Sequence, residues 1–137
     1  MPTATLTLTS ADIAGDPVNV SKTSTCYKAG TTVTLDQTGG LNKVILTTNS
    51  ANTILDAVAA GANKAAKVYI RNLSEVSTEY ITVTINATKV GDLYAGQWLF
   101  MPWSQNDTAA DVKITASGAG LSIPVEYMLM HEGWSFA

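Results

Sequence analysis

Residues 80–86 read Tyr80-Ile-Thr-Val-Thr-Ile-Asn86, and the alternation within them decides the fold class. Ile81, Val83 and Ile85 fall on one side of an extended chain; Tyr80, Thr82 and Thr84 fall on the other. A period of two among β-branched residues marks a strand with one face on a core and one toward water. The same pattern recurs along the chain. Ala4-Thr-Leu-Thr-Leu-Thr9 sets Leu6 and Leu8 against Thr, and Thr31-Thr-Val-Thr-Leu35 directs Val33 and Leu35 inward. Asp111-Val-Lys-Ile-Thr-Ala116 groups Val112, Ile114 and Ala116.

Denser apolar runs occupy 43–48, 67–71, 97–101 and 123–130. Turn signals separate the runs: Gly15-Asp-Pro17, Gly39-Gly40, Gly91-Asp92, Gly96, Gln105-Asn-Asp107 and Gly118-Ala-Gly120. About eight to ten short strands at this spacing predict an all-β fold, an antiparallel β-sandwich or jelly roll. Ile54 to Ala66 has a helical alternative, with Ile54, Leu55 and Val58 sharing a face. Gly61 and Asn63 interrupt it within two turns, so a strand followed by a loop is the preferred reading.

At 137 residues the chain is read as a single domain, 1–137, with 1–30 either part of it or an extended N-terminal arm. The charged fraction of 14% is low against a typical value of about 25%. Small neutral polar residues stand in for the missing charge, Thr above all, which suits a pleated strand and keeps its outer face soluble. A net charge of −3, with the Lys and Arg residues scattered, argues against nucleic acid as a partner. A single cysteine, Cys26, excludes an intrachain disulfide. The N-terminus lacks the signal-peptide pattern, and no apolar run approaches the roughly 18 residues of a membrane span. The expectation is a soluble protein made in a cytoplasm, without a membrane partner. Asn-x-Ser/Thr triplets begin at Asn19, Asn72, Asn86 and Asn106 and are read as chance in a Thr-rich chain.

Reactive groups are sparse. His131 stands beside Glu132, but a base and its orienter need a nucleophile or a metal nearby, and none is evident. His131 is read as an interfacial or solvent-facing polar residue and Cys26 as a small buried hydrophobe. The acids are dispersed; Asp107 and Asp111 do not make a calcium loop. Phosphate-binding, zinc and nucleophile-elbow motifs are missing. The chain is therefore expected not to be an enzyme and to need no cofactor or metal.

The apolar weight is concentrated in Gly91-Asp-Leu-Tyr-Ala-Gly-Gln-Trp-Leu-Phe-Met-Pro-Trp-Ser104. In a strand, Trp98, Phe100 and Pro102 project to one side, and Leu99, Met101 and Trp103 to the other. A strand apolar on both faces is covered on both faces. One cover is the sandwich core; the other is the chain's own N-terminal arm or a long loop, or else another subunit. The C-terminal run has the same character: Val125, Tyr127 and Leu129 against Met128 and Met130, followed by Trp134 and Phe136, which would fray unless docked. Candidate contact residues for a subunit or partner are therefore Trp98, Phe100, Met101, Trp103, Met128, Met130, Trp134 and Phe136. An exposed Trp platform would instead suit a sugar, with polar support only from Gln97, Gln105, Asn106 and Asp107.

Lys67-Val-Tyr-Ile-Arg-Asn72, Tyr80–Ile85, the Leu-x-x-Gly-x-aromatic-x-x-x-Pro-Trp pattern within Gly91–Trp103, and Val125-Glu-Tyr-Met-Leu129 together resemble small virion proteins of tailed bacteriophages. The resemblance covers residues 67 to 130. It implies a β-sandwich or jelly-roll subunit present in many copies on the virion, closest to capsid decoration (cement) proteins. On that expectation the chain is a homotrimer on the capsid surface, bridging and stabilising the major capsid protein, with no catalytic residues to carry over. The alternatives are a phage tail or fibre component and a carbohydrate-binding β-sandwich adhesin.

Overall fold

The computed structural model describes residues 2–12, 15, 17–28, 30–57, 65–104 and 109–132. Within them run the strands β1 (Thr3–Ser10), β2 (Val18–Thr25), β3 (Gln37–Leu46), β4 (Asn52–Leu55), β5 (Ala65–Asn72), β6 (Tyr80–Ile85), β7 (Thr88–Tyr94), β8 (Trp98–Ser104), β9 (Val112–Ala116) and β10 (Ile123–His131). The alternating stretch Tyr80–Ile85 is β6, inside an antiparallel sheet ordered β4-β9-β6-β7. A second antiparallel sheet is ordered β3-β10-β5-β8. Placing β3 beside β10 and β4 beside β9 pairs each early strand with a late one. That wrapped pairing is the strand order of a jelly roll. The protein is an all-β sandwich, as the alternation predicts.

The inner faces of the sheets make the core. Val68 and Ile70 of β5, Ile123 and Val125 of β10, Ile81 and Val83 of β6, and Val112 and Ile114 of β9 are all fully buried. Leu99 and Met101 pack against this cluster, and Trp103 belongs to it. Trp103 also satisfies its ring N–H, which donates to the Ala110 carbonyl at 2.7 Å.

Turn chemistry departs from the sequence reading in places. Gly91-Asp92 is not a turn; it lies inside β7. The reversal occurs at Asn86 and Ala87, whose φ values of 53° and 44° suit the tight primed turns of hairpins. Gly39-Gly40 is likewise inside β3, where the register against β10 shifts between Met128 and Met130 and Gly40 takes φ 76°. That is a bulge rather than a strand end. Thr31–Leu35 is not a strand: it closes on Tyr27 through a single Tyr27–Thr34 bridge, burying Leu35 but leaving Val33 exposed. Of the segment with a helical alternative, Asn52–Leu55 is strand, and 58–64 lie outside the described residues.

The N-terminal segment forms its own two-stranded sheet, β1 paired antiparallel with β2 from Thr3–Thr25 to Ser10–Val18. Leu6 and Leu8 share a face, but they are 50% and 52% exposed, so the inward-facing expectation is corrected here. Alternation reports which face a residue takes; it does not supply a layer to cover that face. At the root, the Cys26 amide donates to the Pro2 carbonyl at 2.9 Å, and the Leu35 amide donates to the Cys26 carbonyl at 2.9 Å. Cys26 and Leu35 are both buried, which anchors the hairpin's base.

Asn72, at the end of β5, is a fully buried polar residue with every group engaged. Its side-chain amide donates to the Leu93 carbonyl at 3.0 Å and to the Glu79 carbonyl at 3.3 Å. Its side-chain oxygen accepts from the Ser74 amide at 2.9 Å. Its backbone N–H donates to the Gln97 carbonyl, and its carbonyl accepts from the Gly96 amide. This one residue ties β5 to the end of β7 and to the turn before β8. Burial also removes it as a glycan acceptor. Asn72→Ala strands several buried partners, so urea unfolding is expected to show a loss of about 3 kcal/mol. Ser74→Ala is expected to lose about 1 kcal/mol.

Candidate interaction face

The outward faces of the sheets differ sharply in chemistry. On β4-β9-β6-β7 the register brings together Thr82, Asp92 and Thr115, and next to them Thr84, Lys89 and Lys113. The Thr82 hydroxyl donates to Asp92 Oδ1 at 2.6 Å and Lys89 Nζ lies 2.5 Å from Asp92 Oδ2. The Lys89 hydrogen bond, then the Thr82 one, hold the Asp92 carboxyl below its usual range. Tyr80 and Tyr94 stand opposite each other with ring centres 5.0 Å apart. This is an ordinary wetted sheet surface.

The outward face of β3-β10-β5-β8 carries large apolar side chains interleaved with charged ones. Pairing across four strands sets Leu41, Met128, Tyr69 and Phe100 in one row. Beside it runs Lys43, Glu126, Arg71 and Trp98; Ile45 stands opposite Pro124, and Met130, Lys67 and Pro102 continue the far side. The cause is local: in β8 and β10, and at Leu41, Ile45 and Tyr69 of β3 and β5, apolar residues also occupy the parity not taken into the core, and these must emerge here. Leu41 and Ile45 are 57% and 61% exposed, and Trp98 and Phe100 are 47% and 38% exposed.

A cluster of three polar groups is fixed at the centre of this face. The Tyr69 hydroxyl donates to Glu126 Oε1 at 2.9 Å, and Arg71 Nη1 lies 4.0 Å from the same oxygen. Burial, followed by the hydrogen bond and charge of Glu126, raises the Tyr69 phenol above its ordinary value, with Arg71 opposing. The β1–β2 hairpin passes over part of the face and leaves a cavity of about 810 Å³ between them. Its walls are Ala4, Leu6 and Lys22 on the hairpin side and Tyr69, Trp98, Phe100 and Met128 on the sheet side. The chain's own N-terminal arm is thus a partial cover.

Of the residues singled out in the sequence, Trp98, Phe100, Met128 and Met130 do converge on this face. Met101 and Trp103 do not: they point into the sandwich, where Trp103 is 3% exposed and part of the core and Met101 is partly buried against it. Trp134 and Phe136 lie outside the described residues, as does Asp107. Leu41, Ile45 and Tyr69 were missed. The signal for Ile45 and Tyr69 was present in the dense runs 43–48 and 67–71, where apolar residues also occupy both parities; Leu41 lies outside both runs.

Polar groups elsewhere are committed to structure. His131 Nδ1 lies 2.9 Å from the Glu132 backbone oxygen, and the Glu132 carboxylate pairs with Lys28 at 3.3 Å, so the two side chains do not form a base and its orienter. Asp111 accepts from the Ala57 amide at 2.9 Å. Among the described residues no group of three His, Cys, Asp or Glu side chains is placed to hold a metal ion. Compared with known protein families the chain matches none, and no curated protein is similar to it in sequence.

Because the folded state raises the Tyr69 pKa, its contribution to stability is complete below the ordinary value of 10.0 and is lost as pH rises through the folded value. Absorbance titration should show one late-ionising tyrosine that vanishes in Tyr69→Phe. The loss of stability above pH 10.0 should shrink in the same variant.

Proposed function

We propose that this chain is a structural subunit of a tailed-bacteriophage virion, a head decoration protein that attaches in many copies to the outer capsid lattice and stabilises it. The observation that carries the reading is the asymmetry of the sandwich: one outer face is hydroxyl-rich and charged, the other carries large exposed apolar side chains with Lys43, Glu126, Arg71 and Lys67 interleaved among them. Such a patch marks a contact surface rather than a reaction site. Trp98 and Phe100 have the size and exposure of anchors, and Lys43, Arg71 and Lys67 stand among the apolar residues as charged contacts. Many copies on a lattice convert a modest contact into firm attachment. The resemblance of residues 67 to 130 to small phage virion proteins supports the same station, and attachment to a tail instead would keep the class and move the location. The subunit acts without catalysis or cofactor, and its partners are further copies of itself, as a homotrimer, and the major capsid protein.

Carbohydrate binding is the second reading, favoured by an exposed Trp98 beside Arg71 and Glu126. A glycan array probed with the purified protein separates the two.

Imaging of particles of the encoding phage, with and without the protein, tests the first reading directly. Trp98→Ser combined with Phe100→Thr is expected to lower capsid attachment at least about tenfold, since anchors of this kind contribute about 2 kcal/mol or more. Light scattering is expected to give three times the 14.4 kDa chain mass. Unchanged occupancy of the double variant on particles overturns the role of this face.

A further inference from the structure

We infer that the β1–β2 hairpin is an intermolecular arm whose tip docks on the β3 side of the apolar face of a second copy of this chain. The inference rests on the reading of that face as a contact surface and names its occupant. A two-stranded hairpin is marginal in water unless something packs against it. Among the described residues the strands pair only with each other and are held by backbone bonds at the base, through Pro2 and Cys26.

The hairpin's faces are opposite in character. Thr5, Thr7, Thr23 and Ser21 lie on one side, whereas Leu6, Leu8 and Val20 lie on the other. Eight-residue strands extend roughly 27 Å. Only the basal half, through Leu6, reaches the cavity above the chain's own sheet. Leu8 and Val20, directly opposite in register, stand beyond that cavity, 52% and 38% exposed. The arm therefore carries an apolar tip that the described residues leave exposed.

The same chain carries a matching uncovered strip at the far edge of the sheet, where β3 turns Leu41, Lys43 and Ile45 outward. These residues are not among those walling the cavity under the hairpin. Charge is complementary as well. The exposed Asp12 follows β1 at the tip, hydrogen-bonded to Ser10, and Lys43 lies between the two apolar residues of the strip. Donor and acceptor patches are different surfaces present once per copy, which makes a heterologous contact. Such a contact closes into a ring when the rotation between copies allows it.

The test mixes two single-substitution chains, Leu8→Cys and Ile45→Cys, under mild oxidation. Both positions are exposed, so neither threatens folding, and the native Cys26 is buried. A covalent dimer forming only in the mixture is expected, because a disulfide requires the two backbones to approach within about 7 Å. In parallel, Asp12→Lys and Lys43→Asp should each weaken self-association about tenfold, and their combination in one chain should restore it. Dimers from Leu8→Cys alone, or no dimer in the mixture, overturn the arm contact. Failure of the mixture to crosslink while Trp98→Ser/Phe100→Thr still reduces capsid attachment removes the arm and leaves the proposed function standing. Crosslinking by a protein that does not attach to particles supports the arm and removes the virion reading.

Discussion

A β-sandwich has one interior, and a strand can offer it only one of its faces. In β8 and β10, and at Leu41, Ile45 and Tyr69 of β3 and β5, apolar residues stand on both faces, so the core takes one set and the pleat delivers the remainder to the surface. Val68 and Ile70 go in while Tyr69 comes out; Val125 goes in while Met128 comes out. Full burial of one large apolar side chain stabilises by about 1.5–3 kcal/mol. Leaving Leu41, Ile45, Trp98 and Phe100 substantially wet forgoes that gain in the isolated chain. On association the same gain becomes available, reduced by the cost of ordering two bodies. The other sheet, with Thr and charged residues outward, faces no such conflict.

Which residues emerge depends on where each strand begins. β8 is the sensitive case, because Leu99, Met101 and Trp103 would serve as well on either face by size alone. A slip of one residue would exchange them with Trp98 and Phe100. Asn72 prevents it. Its backbone holds Gly96 and Gln97, and its side chain holds Leu93, so the turn leading into β8 is clamped on both sides. The Gln97 side chain adds a bond from the Tyr94 amide at 2.9 Å. The buried amide is thus the reason that Trp103 meets the Ala110 carbonyl in the core while Trp98 faces outward.

The periodicity of Tyr80–Ile85 and Asp111–Ala116 made the fold class legible, since β-branched alternation has few other outcomes. The doubly apolar strand at 98–104 was legible too, together with the sorting of its two faces. Less could be read where alternation met no neighbour: Leu6 and Leu8 look like core residues in any window of sequence, and only the pairing of β1 with β2 alone reveals otherwise. Glycine pairs misled for a related reason. Gly39-Gly40 and Gly91-Asp92 serve a bulge and a strand, whereas Asn86-Ala87, without glycine, makes the tight turn. The clamp at Asn72 was invisible, because a buried amide is defined by carbonyls distant in sequence.

A broad apolar face is a hazard if the sheet bearing it also has open edges, since edge pairing propagates without limit. Both edges of β3-β10-β5-β8 carry devices that discourage it. Pro102 removes an amide from β8, and the Gly39–Gly40 bulge interrupts β3, with the Asn42 side chain donating to the Gly39 and Gly40 carbonyls. In the other sheet β4 is only four residues long, and β7 shifts register against β6 between Val83 and Thr84. Association is therefore steered to faces rather than edges. Face contacts between rigid sandwiches have fixed geometry and can close on themselves. The proposed role of a lattice-coating subunit would require that property, since a contact that does not close makes fibres.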